Sequence, residues 1–141
     1  AIPREAYATV AVAADKADAL KALVNTYQAL LKTELEAKEK NLVVLLEAVD
    51  NDKAALPQAS RDPFIRLLNA TPHGVIRHSA VAKGVGETSL HVGVVTMADA
   101  NVQLHCLLRA LSGSRKAYVV SMLDSLGKLA GAKTEAKGAY P

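Results

Sequence analysis

The sequence predicts a mainly α protein, with a long N-terminal helix, shorter helices after it, and room for a small β-hairpin at 75–94. Three observations carry this. Between Pro3 and Pro57 the chain has neither glycine nor proline, and its first glycine is Gly74, so no residue before Pro57 forces a helix to break. The apolar residues Leu20, Leu23, Val24, Tyr27, Leu30, Leu31 and Leu35 recur at spacings of three and four, which places them on one helical face. Half of all residues are hydrophobic, and alanine, the best helix former, is prominent among them.

Pro3 followed by Glu5 suits a helix start in an alanine-rich arm over 1–19, since proline is tolerated in the first turn and an acid is favoured at its positive end. The stripe over 20–35 follows. A polar patch at 34–40 then gives way to Leu42, Val43, Val44, Leu45, Leu46 and Val49, a block apolar nearly all round a helix and therefore in need of several neighbours. One helix over 4–56 would run roughly 80 Å at about 1.5 Å per residue, against a radius of gyration of about 14 Å for a compact domain of this length. The rod either folds back, with Asn41 the best bend, or is covered by other subunits. On the second reading Leu20, Leu23, Val24, Tyr27, Leu30, Leu31, Leu35, Leu42, Leu45 and Val49 form a subunit interface.

Residues 57–63 read as a connector, and Asp62 before Pro63 as the cap and first turn of a short helix over 64–69 stopped at Thr71 and Pro72. The stretch 74–96 is glycine-rich, and Val75, Ile76 and Val81 followed by Leu90, Val92 and Val94 fit either a hairpin around 83–87 or an irregular loop. Thr96 with Asp99 resembles a capping box. It predicts a helix through Val102, Leu107, Leu108 and Leu111 that ends at Ser112 and Gly113. Ser114 then caps a last helix carrying Tyr118, Val119, Met122, Leu123, Leu126 and Leu129, and 131–141 reads as a flexible tail. The 141 residues form a single domain on this reading.

The formal net charge of +3 hides an asymmetry: residues 1–56 hold seven Lys/Arg against nine Asp/Glu, and 57–141 hold ten against five. The basic part implies a polyanion or an acidic neighbouring subunit. Its candidate nucleic-acid contacts are Arg61, Arg66, Arg77, Lys83, Arg109, Arg115, Lys116 and Lys128, with arginine suited to grip phosphate through two hydrogen bonds. Five dispersed aromatics, Tyr7, Tyr27, Phe64, Tyr118 and Tyr140, are too few to stack single-stranded bases, so contacts would go to backbone phosphates.

No motif names a reaction. Cys106 beside His105 is no dyad on a helix, where neighbours point about 100° apart, and reads as a structural thiol. His73, His78 and His91 could approach one another across a hairpin, but no carboxylate or cysteine completes a metal-ligand spacing. Gly84 and Gly86 lack the rest of a dinucleotide or phosphate-loop fingerprint. The sequon at Asn69, Ala70 and Thr71 is followed by Pro72, and no signal peptide or membrane-length apolar run is evident. The expectation is a non-enzyme, with no cofactor and no metal.

The stripe over 20–35, the apolar block over 42–49 and the arginines at 61, 66, 77, 109 and 115 together resemble the helical major coat proteins of filamentous and rod-shaped archaeal viruses. That resemblance implies a structural assembly protein that wraps nucleic acid, double-stranded DNA above all, with itself or a related subunit as partner and a virion or cytoplasmic location. The alternative is a dimeric helical adaptor or regulatory domain that binds a protein. Salt separates the two, because phosphate contacts weaken steeply with ionic strength.

Overall fold

The computed structural model describes residues 4–50, 53–98 and 101–138. The chain falls into two compact units, Tyr7–Ala55 and Ala1–Ala6 with Leu56–Pro141.

In the first of these, a short 3-10 turn, Ala14–Lys16, leads into helix α1, Ala17–Leu35. The helix realises the sequence stripe, and Leu20, Val24, Gln28 and Leu31 are its half-buried positions. The long helix expected from 4 to 56 is not formed. Residues 4–13 contain no helix, and α1 ends in turns over 36–38; the expected start at Pro3 lies outside the described residues. The block over 42–49 is neither helical nor buried on several sides. Leu45 is 75% exposed and Val49 62%. The physical reason lies partly in Gln28, whose Nε2 donates to the Leu42 carbonyl at 3.3 Å and whose Oε1 accepts the Val44 N–H. One carboxamide thus meets two backbone groups that a helix would have paired internally, and the valines of the block have little intrinsic preference for helix.

The second unit is a three-stranded antiparallel sheet of order β1-β2-β3 with two helices. Helix α2, Gln58–Ala70, precedes strands β1, Gly74–His78, β2, Gly86–Ala98, and β3, Asn101–Ala110; helix α3, Gly113–Leu129, follows. The fold is therefore mixed α and β, which corrects the mainly α expectation. Helix α2 starts earlier than expected, with Pro57 at its N-cap and Pro63 inside it. Asp62 is not its cap but pairs with Arg61 at 2.8 Å, and that hydrogen bond holds its carboxyl below the ordinary value near 3.8.

The stretch 74–96, open between hairpin and loop in the sequence, forms the β1–β2 hairpin. Gly74 lies opposite Leu90 with φ at +97°, a backbone conformation that side chains rarely tolerate. The helix expected after Thr96 is strand β3 instead. Its residues alternate between exposed and half-buried along their whole length, so Val102, Leu104, Cys106, Leu108 and Ala110 face one way and Gln103, His105, Leu107 and Arg109 the other. The period-two pattern was masked by the closely spaced Leu107, Leu108 and Leu111. Asp99 of the expected capping box lies outside the described residues.

Pairing of Thr88 with Ala110, Leu90 with Leu108 and Val92 with Cys106 aligns the inner face of β2 with that of β3. Helix α3 packs against β3 and α2. Leu90 and Val119, each 1% exposed, are the buried apolar centre among the described residues. Ser112 caps α3 by accepting the Arg115 N–H at 3.4 Å, two residues earlier than the Ser114 expected from the sequence.

Candidate functional site

The face of the sheet formed by Ser89, His91, Leu107 and Arg109 carries a cleft of about 190 Å³ whose rim also includes His73, Gly74 and Val75. Its construction follows from the register. Ser89 pairs with Val75 on one side and Arg109 on the other, and His91 pairs with Leu107. Two cross-strand rows thus put one guanidinium, one hydroxyl and one imidazole beside the apolar Val75 and Leu107, and the diagonal from His91 to Arg109 spans roughly 7–8 Å in a sheet of this geometry.

His73 precedes β1 yet extends its ladder. Its Nδ1 accepts the Val92 N–H at 3.1 Å, in the place where a further strand residue would have offered a carbonyl. An accepting Nδ1 in a neutral imidazole puts the proton on Nε2, so His73 offers the cleft a donor. The rings of His73 and His91 lie 5.1 Å apart, tilted by 59°. His91 has a buried Nδ1 without a hydrogen-bond partner among the described residues. Burial, and after it the charge of His73, hold the His91 imidazole below its ordinary value near 6.5.

Gly93 lies beside that ring. The register shifts between Val92 and Val94, leaving Gly93 in a bulge where an added Cβ would stand 3.4 Å from Cδ2 of His91 and 3.6 Å from its Nε2. The bulge also moves Val94 to the face opposite Val92, so the alternation of Leu90, Val92 and Val94 in the sequence does not describe one surface.

The basic set expected to contact nucleic acid is not gathered into one stripe. Arg61 and Arg66 lie on α2, Arg77 on β1, Lys83 in the loop before β2, Arg109 on β3, Arg115 and Lys116 in the first turn of α3, and Lys128 in its last. Several are neutralised locally: Arg61 by Asp62, Arg77 by Glu87 at 2.9 Å, and Lys128 by Asp124 at 2.6 Å. Arg109 alone of the set lines the cleft.

Of the histidines raised as metal candidates, His73 and His91 do meet, while His78 sits opposite Gly86 at the end of β1. Among the described residues no group of three or more His, Cys, Asp or Glu side chains could hold a metal ion. Cys106 lies on the inner sheet face opposite Val92, and burial pushes its thiol above the usual range, which suits a structural residue and not a nucleophile. Sequence reasoning singled out Arg109 and the histidines separately and missed their common cleft, together with Ser89. Register carries that information, and no motif spacing does.

No protein-family model matches the chain. Over 141 residues it is 76% identical to the cytosol non-specific dipeptidase of Escherichia coli strain K12, matching along all of its own length and 29% of that protein's. The solved structure of aminoacylhistidine dipeptidase from Vibrio alginolyticus superposes with a TM-score of 0.87 at 44% identity, over 91% of this chain and 26% of that one. The chain thus spans less than a third of the proteins it resembles. These relatives are peptidases. They overturn the likeness to viral coat proteins, and with it the assembly function, the nucleic-acid partner and the virion location. The earlier resemblance rested on a helix layout that β2 and β3 replace and on cations that the fold disperses.

Proposed function

We propose that the chain is a substrate-recognition part of a cytosolic dipeptidase, and that its sheet cleft holds the carboxylate found at the C-terminus of every dipeptide. The observation that carries this is the 76% identity to a cytosol non-specific dipeptidase along the whole chain. An enzyme of broad sequence range has to read what all dipeptides share, which is their charged termini. Arg109 in the lining of a small, partly apolar cleft, with Ser89 as its cross-strand partner, has the chemistry for that task, since a guanidinium pairs with a carboxylate through two hydrogen bonds. The apolar residues Leu23, Tyr27, Leu30, Leu35, Leu45 and Val49, all exposed, serve in this reading as a contact surface for a second subunit.

The test is a chimera. Exchanging the matching segment of the Escherichia coli enzyme for this chain should preserve dipeptide hydrolysis, and Arg109→Ala in that chimera should raise KM far more than it lowers kcat. A folded chimera without hydrolysis would overturn the proposal.

A further inference from the structure

The histidine pair has no part in gripping a carboxylate through Arg109, yet it occupies the same cleft. A metal is the first ligand to consider for two imidazoles 5.1 Å apart. The hydrogen bond from Val92 argues against it, because with Nδ1 of His73 accepting its Nε2 carries the proton and has no lone pair for a metal. Metal-bound histidines instead donate their second nitrogen to a neighbour.

An anion suits the pair better. From the β1 side His91 faces His73, and from β3 it shares the open face with Leu107, Arg109 and His105. On its own strand the nearest carboxylate is Glu87, already paired with Arg77 at 2.9 Å. The ionised neighbours that bear on the imidazoles are therefore cationic or already neutralised. Among the described residues the buried Nδ1 of His91 stands without a partner. Adding a proton to His91 is opposed by burial and, after it, by the His73 imidazole beside it, and a bound carboxylate offsets that opposition.

We infer that His73 and His91 make carboxylate binding in the cleft proton-dependent, Arg109 supplying the permanent charge and the imidazole pair a second one on acidification. The inference rests on the reading of the cleft as a carboxylate site. It adds that the grip tightens as the pH falls through the histidine range, with the proton taken from solvent onto an imidazole nitrogen and no bond made or broken in the ligand.

The test is titration of the imidazole resonances of the full 141-residue chain by two-dimensional NMR, with N-acetylglycine as probe and its neutral amide as control. The probe's carboxylate stays ionised throughout the histidine range. N-acetylglycine should raise the titration midpoints of His73 and His91, and its affinity should rise about three- to tenfold from about pH 8 to about pH 5.5, the effect of one added charge across a partly solvated gap. The amide should do neither. His91→Asn and His73→Asn should each flatten the pH dependence, read as the ratio of the affinities at the two pH values in each variant against the same ratio in the parent chain. Binding that is present but equally strong at both pH values would overturn the inference and spare the carboxylate cleft. Absence of binding at every pH, in a chain whose spectrum shows it folded, would overturn both.

Discussion

The imidazole Nδ1 of His73 accepts the backbone N–H of Val92 at 3.1 Å, so a side chain performs the work of a strand carbonyl just beyond Gly74. The bond ties the entry to β1 to the centre of β2. His73→Ala should cost about 1 kcal/mol, the net worth of one such bond, and His73→Asn should recover part of it because the Asn carbonyl oxygen can accept in the same place. Denaturant unfolding of the three proteins, with amide exchange at Val92, checks this. Val92 exchange that is equally slow in His73→Ala would show that the bond contributes nothing.

The lowered His91 midpoint makes a prediction about acid stability. An imidazole held below 6.5 in the folded chain protonates first in the unfolded one, so between 6.5 and the folded midpoint the unfolded state binds more protons and stability falls as pH falls. Above 6.5 the contribution of His91 is fully present. His91→Asn should flatten the stability profile in this window and leave the alkaline side unchanged, as read by urea midpoints across the pH range. A profile of the same steepness in the variant would transfer the effect to another group. Carboxylate ligand should counteract the acid loss in the parent chain only.

The reach of sequence reasoning differs from element to element for identifiable reasons. Helix α1 was legible because its stripe repeats every three or four residues and its pairs are local. Helix α3 was legible from Tyr118 to Leu129, with its cap misplaced because Ser112 and Ser114 are chemically equivalent candidates. The sequence of strand β3 fits a helix equally well, because Leu107, Leu108 and Leu111 share a helical face as readily as Val102, Leu104, Cys106 and Leu108 share an alternating one, and only pairing with β2 decides between them. The block over 42–49 looked buried because apolar residues usually are, whereas Gln28 holds its backbone in an irregular path. In the cleft, Arg109 was visible as a cation. Its nearness to Ser89 and His91 depends on register, and the placing of His91 on the bulge at Gly93, and neither is written in spacing along one segment.

Gly127 is a buried glycine inside α3, and a side chain there would have to displace the Thr134 hydroxyl. A Cβ there would stand 2.5 Å from Thr134 Oγ1 and 3.6 Å from the Ala132 carbonyl oxygen, while Ala132 donates its N–H back to the Gly127 carbonyl at 2.8 Å. In an open helix alanine would be the more stable residue by about 1 kcal/mol. Here the clash should reverse the sign, and Gly127→Ala should destabilise the chain by about 1–3 kcal/mol. Thr134→Ala in the same chain should restore much of the loss, since the hydroxyl is the nearest obstacle. Thermal melts of the two single variants and the double variant give the coupling directly, and a stabilising Gly127→Ala would refute the packing argument.

Gln28 offers the sharpest probe of the unit Tyr7–Ala55. Its carboxamide is used at both ends, donating to Leu42 and accepting from Val44, so the two halves can be removed separately. Gln28→Glu keeps an oxygen for the Val44 N–H but loses the donor and sets a carboxylate against the Leu42 carbonyl. Gln28→Ala loses both bonds, at about 0.5–1.5 kcal/mol each. Amide exchange at Val44 should therefore accelerate in Gln28→Ala and stay closer to the parent rate in Gln28→Glu. The segment has little else to hold it, since Val43 is 60% exposed and Leu45 75%. Equal exchange in all three chains would mean that apolar contacts, and not the carboxamide, fix the path of residues 42–44.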